Sequence, residues 1–93
     1  MGRYTVTLSD TAKKHLALHH RSGNKVIIKR IERIFVELGE HPFTGIGKPE
    51  LLKHDLSGLW SRRLDEKNRL VYEVNEESIT VSVVTAKGHY LDK

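Results

Sequence analysis

LWSRRLDEKNRLVYEV, residues 59–74, alternates in polarity twice around a polar middle. In its first half Trp60 and Leu64 fall on one face, with Ser61, Arg63 and Asp65 on the other. The second half puts Leu70, Tyr72 and Val74 on an apolar face and Arg69, Val71 and Glu73 opposite. Strand side chains point to alternate faces, so a period of two predicts two half-buried strands, turned at Glu66-Lys67. A second turn over Asn75–Ser78 leads to a β-branched strand from Ile79 to about Thr85, with Ile79, Val81 and Val83 inward. Leu51–His54 is a candidate for one more short strand. Strands joined by such short turns form an antiparallel meander.

Toward the N-terminus, Arg3–Leu8 also alternates, with Tyr4, Val6 and Leu8 on one side, and reads as a strand. Ser9 or Asp10 can cap a helix from Thr11 to about Arg21, with Ala12 and Leu16 inward, which Ser22-Gly23-Asn24 breaks. Lys25–Leu38 carries Ile27, Ile31, Ile34, Phe35 and Leu38 on one stripe of a 3.6-residue helix, and Gly39 and then His41-Pro42 are expected to end it. Pro42–Glu50 holds two prolines and two glycines and is a loop. The order strand, helix, helix, meander predicts an α+β chain. A two-helix hairpin packs on one face of a mainly antiparallel four- to five-stranded sheet, one domain over residues 1–93.

That arrangement leaves one sheet face free of helices. Parity assigns Arg63 and Arg69 to it and turns Trp60, Leu70 and Tyr72 toward the helices. Arg62, of the opposite parity to Arg63, is expected to snorkel at an edge.

With 93 residues the chain buries one modest core, so a site is expected to be an open groove. The net charge of +4 suits a polyanion or an acidic protein partner. The absence of cysteine removes disulfides and thiolate metal sites and fits a reducing cytoplasm. No apolar run has the length of a membrane span, and no signal-peptide core is present. A cytoplasmic chain without a membrane partner is expected.

Residues 42–72 crowd Lys48, Glu50, Lys53, His54, Arg62, Arg63 and Arg69 around a single Trp60. Cleaving RNA through its 2′-hydroxyl needs a base for that proton, cations for the charge on the phosphorane, and an acid for the departing 5′-oxygen. Glu50 is a candidate base, Arg69 with Arg63 and Lys53 are candidate cations, and His89 is a candidate acid. Tyr90 is placed to stack on a base. Each has a plainer reading: Glu50 as an ion-pair partner of Lys53, the arginines as a solvated sheet face, His54 as a solvent-facing histidine. Trp60 and Tyr72 read as core aromatics. His15 and His19, an i, i+4 pair on the first helix, have zinc-binding spacing but no third ligand, and no metal or other cofactor is expected. Lys25, Lys29 and Arg33 read as the wet face of the second helix or a secondary contact with ribosomal RNA.

Gly45-x-Gly47-Lys48-Pro49-Glu50-x-Leu52-Lys53, then Leu56-Ser57-Gly58-x-Trp60-Ser61-Arg62-Arg63, Arg69-Leu70-Val71-Tyr72 and Gly88-His89-Tyr90 resemble the Txe/YoeB family of RelE-type toxins. The motif covers about a third of the chain closely. The resemblance implies a RelE-like fold and a metal-independent endoribonuclease that cuts mRNA in the ribosomal A site. It implies Glu50 as general base, Arg69 as the transition-state arginine, His89 as general acid with Tyr90 beside it, and Lys48, Lys53 and Arg63 as RNA-phosphate contacts. Implied partners are mRNA on the ribosome, ribosomal RNA, and a YefM/Axe-type antitoxin with an acidic C-terminal segment. Oligomeric state stays open, a homodimer among the options. The segment from Tyr72 to His89 is longer than the family pattern and calls for a bulge or longer hairpin, and the chain continues through Leu91-Asp92-Lys93. The competing reading is a RelE-fold toxin or a basic RNA-binding module that acts by binding alone.

Overall fold

A computed structural model describes residues 3–88. Strand β1 (Thr5–Leu8) leads into α1 (Asp10–Ser22) and α2 (Lys25–Glu40), followed by β2 (Glu50–Leu51), a 3-10 turn over His54–Leu56, β3 (Leu59–Arg63), β4 (Arg69–Asn75) and β5 (Thr80–Thr85). The sheet order is β1-β5-β4-β3-β2. Every pairing is antiparallel except β1 with β5, whose parallel register sets Val6 opposite Val81. The α+β expectation holds. Among the described residues, no helix is long and apolar enough to cross a membrane.

Local chemistry sets the helix ends. Ser9 Oγ accepts from the Ala12 N–H and Asn24 Oδ1 accepts from Val26 and Ile27, satisfying donors that a helix start leaves orphaned. Gly23 closes α1 in the left-handed conformation, with φ 73°. Gly39 does not end α2, which runs one residue further to Glu40. The stop comes at His41, which Pro42 disfavours from helical backbone (φ −148°, ψ 81°) and whose N–H donates to Glu37 O. The Gly39 carbonyl instead accepts from Arg3 and Tyr4 and ties α2 to the start of β1.

Ile27, Ile31, Ile34 and Leu38 of α2 and Ala12 of α1 pack on Leu64, Leu70, Tyr72, Val81 and Val83 from the sheet. Burying side chains of this size contributes roughly 1.5–3 kcal/mol each, which is the main force holding helices to sheet. Ile79 is not part of this layer. Asn75 Oδ1 accepts from Glu77 and Ser78, and the turn so anchored ends with Ile79 at φ 52° and exposed, so β5 begins at Thr80. The register of β5 on β4 shifts between Val71 and Tyr72, an irregularity of the kind the long C-terminal segment called for. Ser9 seats against it, donating through Oγ to Val84 O at 2.6 Å and through its N–H to Val83 O at 2.9 Å.

Candidate active site

The helix-free face carries a row of paired residues across three strands: Glu50 of β2 opposite Ser61 of β3, and Ser61 opposite Val71 of β4. One step along the same face, Arg63 lies opposite Arg69. On this side Leu52, Ser61 and Val71 are all buried. A shallow cleft of about 230 Å³ is lined by Lys48, Pro49, Glu50, Arg63 and Arg69. The Glu50 carboxylate is exposed, and its Oε1 lies 4.0 Å from Arg69 Nη1. Arg69 keeps only 14% of its side chain exposed, so its guanidinium is held rather than waving in solvent. Three cations and one carboxylate thus meet in one open cleft, an arrangement suited to a phosphodiester.

The loop that delivers Lys48 and Glu50 is moulded around a buried cation. Arg62 does not snorkel. It is fully buried on the helix side of β3. Its Nη1 donates to Glu37 Oε1 at 2.6 Å, its Nε to Tyr72 Oη at 3.2 Å, and its Nη2 to the carbonyls of Thr44 at 2.7 Å and Pro42 at 3.2 Å. Tyr72 in turn donates its hydroxyl to Pro42 O at 2.6 Å. Parity sends Arg62 inward, and a buried guanidinium is tolerable only when charge and donors are both matched. The carboxylate of α2 and the loop carbonyls provide that match. Burial pushes the Glu37 carboxyl up, but the Ile46 N–H and the Arg62 and Arg33 side chains outweigh it and hold it below the usual range. Burial also raises the Tyr72 hydroxyl, against the pull of Arg62.

Two loop glycines are required by this packing. A Cβ on Gly45 would fall 2.0 Å from Glu37 Oε1 and 2.8 Å from Arg62 Nη1, and one on Gly47 would fall 2.8 Å from Arg63 O. Gly47 O accepts from the Arg63 N–H at 2.7 Å, which fastens the loop to β3 just before Lys48. Lys48 itself takes φ 52°, a conformation uncommon outside glycine and often found where a side chain is aimed for function.

The other residues singled out in the sequence lie as follows. Lys53 is exposed between β2 and the 3-10 turn and does not line the cleft; His54, in that turn, is exposed at φ 61°. Trp60 packs on the core with its ring 5.1 Å from Phe43. Arg33 is exposed and pairs with Glu37 at 3.3 Å. His89 and Tyr90 lie outside the described residues. The residue before them is placed: Gly88 donates its N–H to Asn68 Oδ1 at 2.8 Å, and its carbonyl accepts from the Arg69 N–H at 3.0 Å.

Sequence reasoning missed Glu37, which sits three residues beyond Ile34 on the inner stripe of α2. An inward carboxylate on α2 and an inward arginine on β3 were the available signal. Ser61, on the outward face as its parity predicts, has a buried Oγ with no hydrogen-bond partner among the described residues.

A family model described as a YoeB-like toxin of bacterial type II toxin-antitoxin systems matches residues 12–90. A toxin YoeB of Streptomyces coelicolor is 42% identical over 73 residues, which span 78% of this chain and 84% of the relative. Among solved structures, a YoeB/ParE toxin from Agrobacterium tumefaciens superposes with a TM-score of 0.84 at 28% identity, over 92% of this chain and 99% of the other. The toxin of a YoeB-YefM complex from Staphylococcus aureus is similar at a TM-score of 0.76 and 32% identity, over 95% of this chain and 99% of that one.

Proposed function

This chain belongs to the family of YoeB-like toxins of bacterial type II toxin-antitoxin systems, and from that premise we propose that it is a metal-independent endoribonuclease cutting mRNA in the A site of translating ribosomes. The observation that carries the reading is the cleft on the helix-free face, where Glu50, Arg63, Arg69 and Lys48 converge with 4.0 Å between the Glu50 and Arg69 side chains. In the proposed reaction Glu50 takes the proton of the 2′-hydroxyl, and the 2′-oxygen bonds to phosphorus as the bond to the 5′-oxygen breaks. Arg69 and Arg63, with Lys48, hold the charge that builds on the non-bridging oxygens. His89 gives its proton to the departing 5′-oxygen, leaving a 2′,3′-cyclic phosphate and a 5′-hydroxyl. Tyr90 stacks on a base beside the cut, and Lys53 contacts a flanking phosphate.

The backbone bond from Arg69 to Gly88 supports bringing the acid to this phosphate, because His89 follows Gly88 directly in the chain. A cognate antitoxin of the YefM/Axe type is the proposed regulator, in line with the Staphylococcus aureus complex. An acidic segment laid over Lys48, Arg63 and Arg69 would cover the cleft and neutralise it. The test is cleavage of mRNA on programmed ribosomes, with end-group analysis of the products. Glu50→Ala, Arg69→Ala and His89→Ala should each slow cleavage by about 10²–10⁴-fold while the protein stays folded. Normal cleavage by all three, or products without cyclic phosphate or its opened form, would refute the reading.

A further inference from the structure

The zinc-like pair His15 and His19 of α1 has a different occupant, the backbone of Ala86. β5 ends at Thr85, so the fully buried Ala86 leaves the sheet ladder with an N–H and a C=O to satisfy. Both are met from α1. His19 Nε2 lies 2.7 Å from Ala86 O, and the Ala86 N–H donates to His15 Nδ1 at 3.1 Å. The partners fix the protons. A carbonyl only accepts, so His19 carries a hydrogen on Nε2; an amide only donates, so His15 Nδ1 offers a lone pair and that ring is neutral, with its hydrogen on Nε2. Two residues on, Gly88 is held from the other side by Asn68 and by the Arg69 N–H.

We propose that His15 and His19 form a clamp on Ala86 that positions the C-terminal segment relative to Arg69, and that protonation of His15 opens it. They are positioning residues, and only the effect on rate rests on the endoribonuclease reading. Among the described residues, Lys87 of the clamped segment and His19 act on His15, and His19 interacts in turn with Asp65 of the β3–β4 turn. Burial, then Lys87 and His19, hold His15 below its ordinary value of 6.5. A histidine depressed on folding binds fewer protons in the folded state. The clamp is therefore complete above the ordinary value and is lost as pH falls through the folded one.

Amide hydrogen exchange of the purified full chain tests the clamp without reference to activity. In the wild type, protection of the Ala86 amide, corrected for intrinsic exchange, should be full above the ordinary histidine value of 6.5 and fall about tenfold or more as pH drops well below it. His15→Leu, which removes the acceptor, should lose protection on both sides of that value. His15→Asn, whose Oδ1 reaches the place of Nδ1 and does not titrate, should keep it on both. Equal protection in the three proteins, or wild-type protection indifferent to pH, would overturn the clamp; should His15→Leu fail to fold, the flat profile expected of His15→Asn decides alone. On programmed ribosomes kcat should drop about tenfold in His15→Leu with KM unchanged and recover in His15→Asn. An unchanged kcat alongside lost protection would refute the positioning role. A wild type that cleaves nothing would refute the proposed function, with exchange still deciding the clamp.

Discussion

Arg62 Nη1 sits 2.6 Å from Glu37 Oε1, joining the middle of β3 to the last turns of α2 through a side chain with no exposed surface. The loop from His41 to Gly47 closes around this pair, so the helix layer and the cleft on the opposite sheet face share one buried charge. The pair is also a point of weakness. Removing Glu37 leaves the Arg62 guanidinium as an uncompensated buried ion, whereas removing Arg62 leaves Glu37 with Arg33 and the Ile46 N–H.

Glu37→Leu should therefore destabilise the protein by about 3–5 kcal/mol in urea unfolding. Glu37→Leu combined with Arg62→Met should cost less than Glu37→Leu alone, because no ion remains stranded. A double variant weaker than the single would mean that the carbonyl contacts of Arg62, rather than its charge partner, supply most of its contribution.

The same carboxyl predicts an acid limb of stability. Glu37 is depressed in the folded state from an ordinary value of 4.5, so its contribution is complete above that value and is lost as pH falls through the folded one. Glu37→Gln should flatten the stability profile in that acid range while lowering its plateau at neutral pH. Parallel profiles for the two proteins would contradict the assignment.

Gly45 and Gly23 both have positive φ, but their surroundings separate them. Gly45→Ala would drive a Cβ into Glu37 and Arg62, whereas Gly23 has nothing within 4 Å. Gly23→Ala should cost about 1–2 kcal/mol, the ordinary penalty of the left-handed conformation. Gly45→Ala should cost clearly more and should also impair cleavage, since the loop it distorts carries Lys48 and Glu50. Thermal unfolding with the ribosome assay checks both statements.

RNA binding should weaken with salt in proportion to the phosphates contacted. Arg63→Ala should reduce the slope of log K against log[salt] by about 0.7–1 and weaken binding alike for different sequences. A loss confined to one codon would instead make Arg63 a base-reading residue. Titrations of a catalytically inactive Glu50→Ala background with several mRNA fragments discriminate between the two.

Periodicity alone determined the architecture. Alternation at residues 59–74 and the 3.6-residue stripe of α2 specify which faces must be buried, and a strand and two helices before a meander leave few ways to bury them. The same parity put Arg63 and Arg69 on one face, and a motif of specific order connected Glu50 to them. What parity cannot express is where an inward charge finds its partner. Arg62, of core parity, reads as an edge residue because nothing local in the sequence shows that a helix carboxylate and four loop carbonyls converge on it from 16 to 25 residues away. The roles of His15 and His19 were hidden for the same reason: their spacing describes one helix, while their partner is the backbone of Ala86 some 70 residues on, brought there by the parallel pairing of β1 with β5. Buried polar groups are matched by whatever tertiary packing sets beside them, and only the folded chain decides what that is.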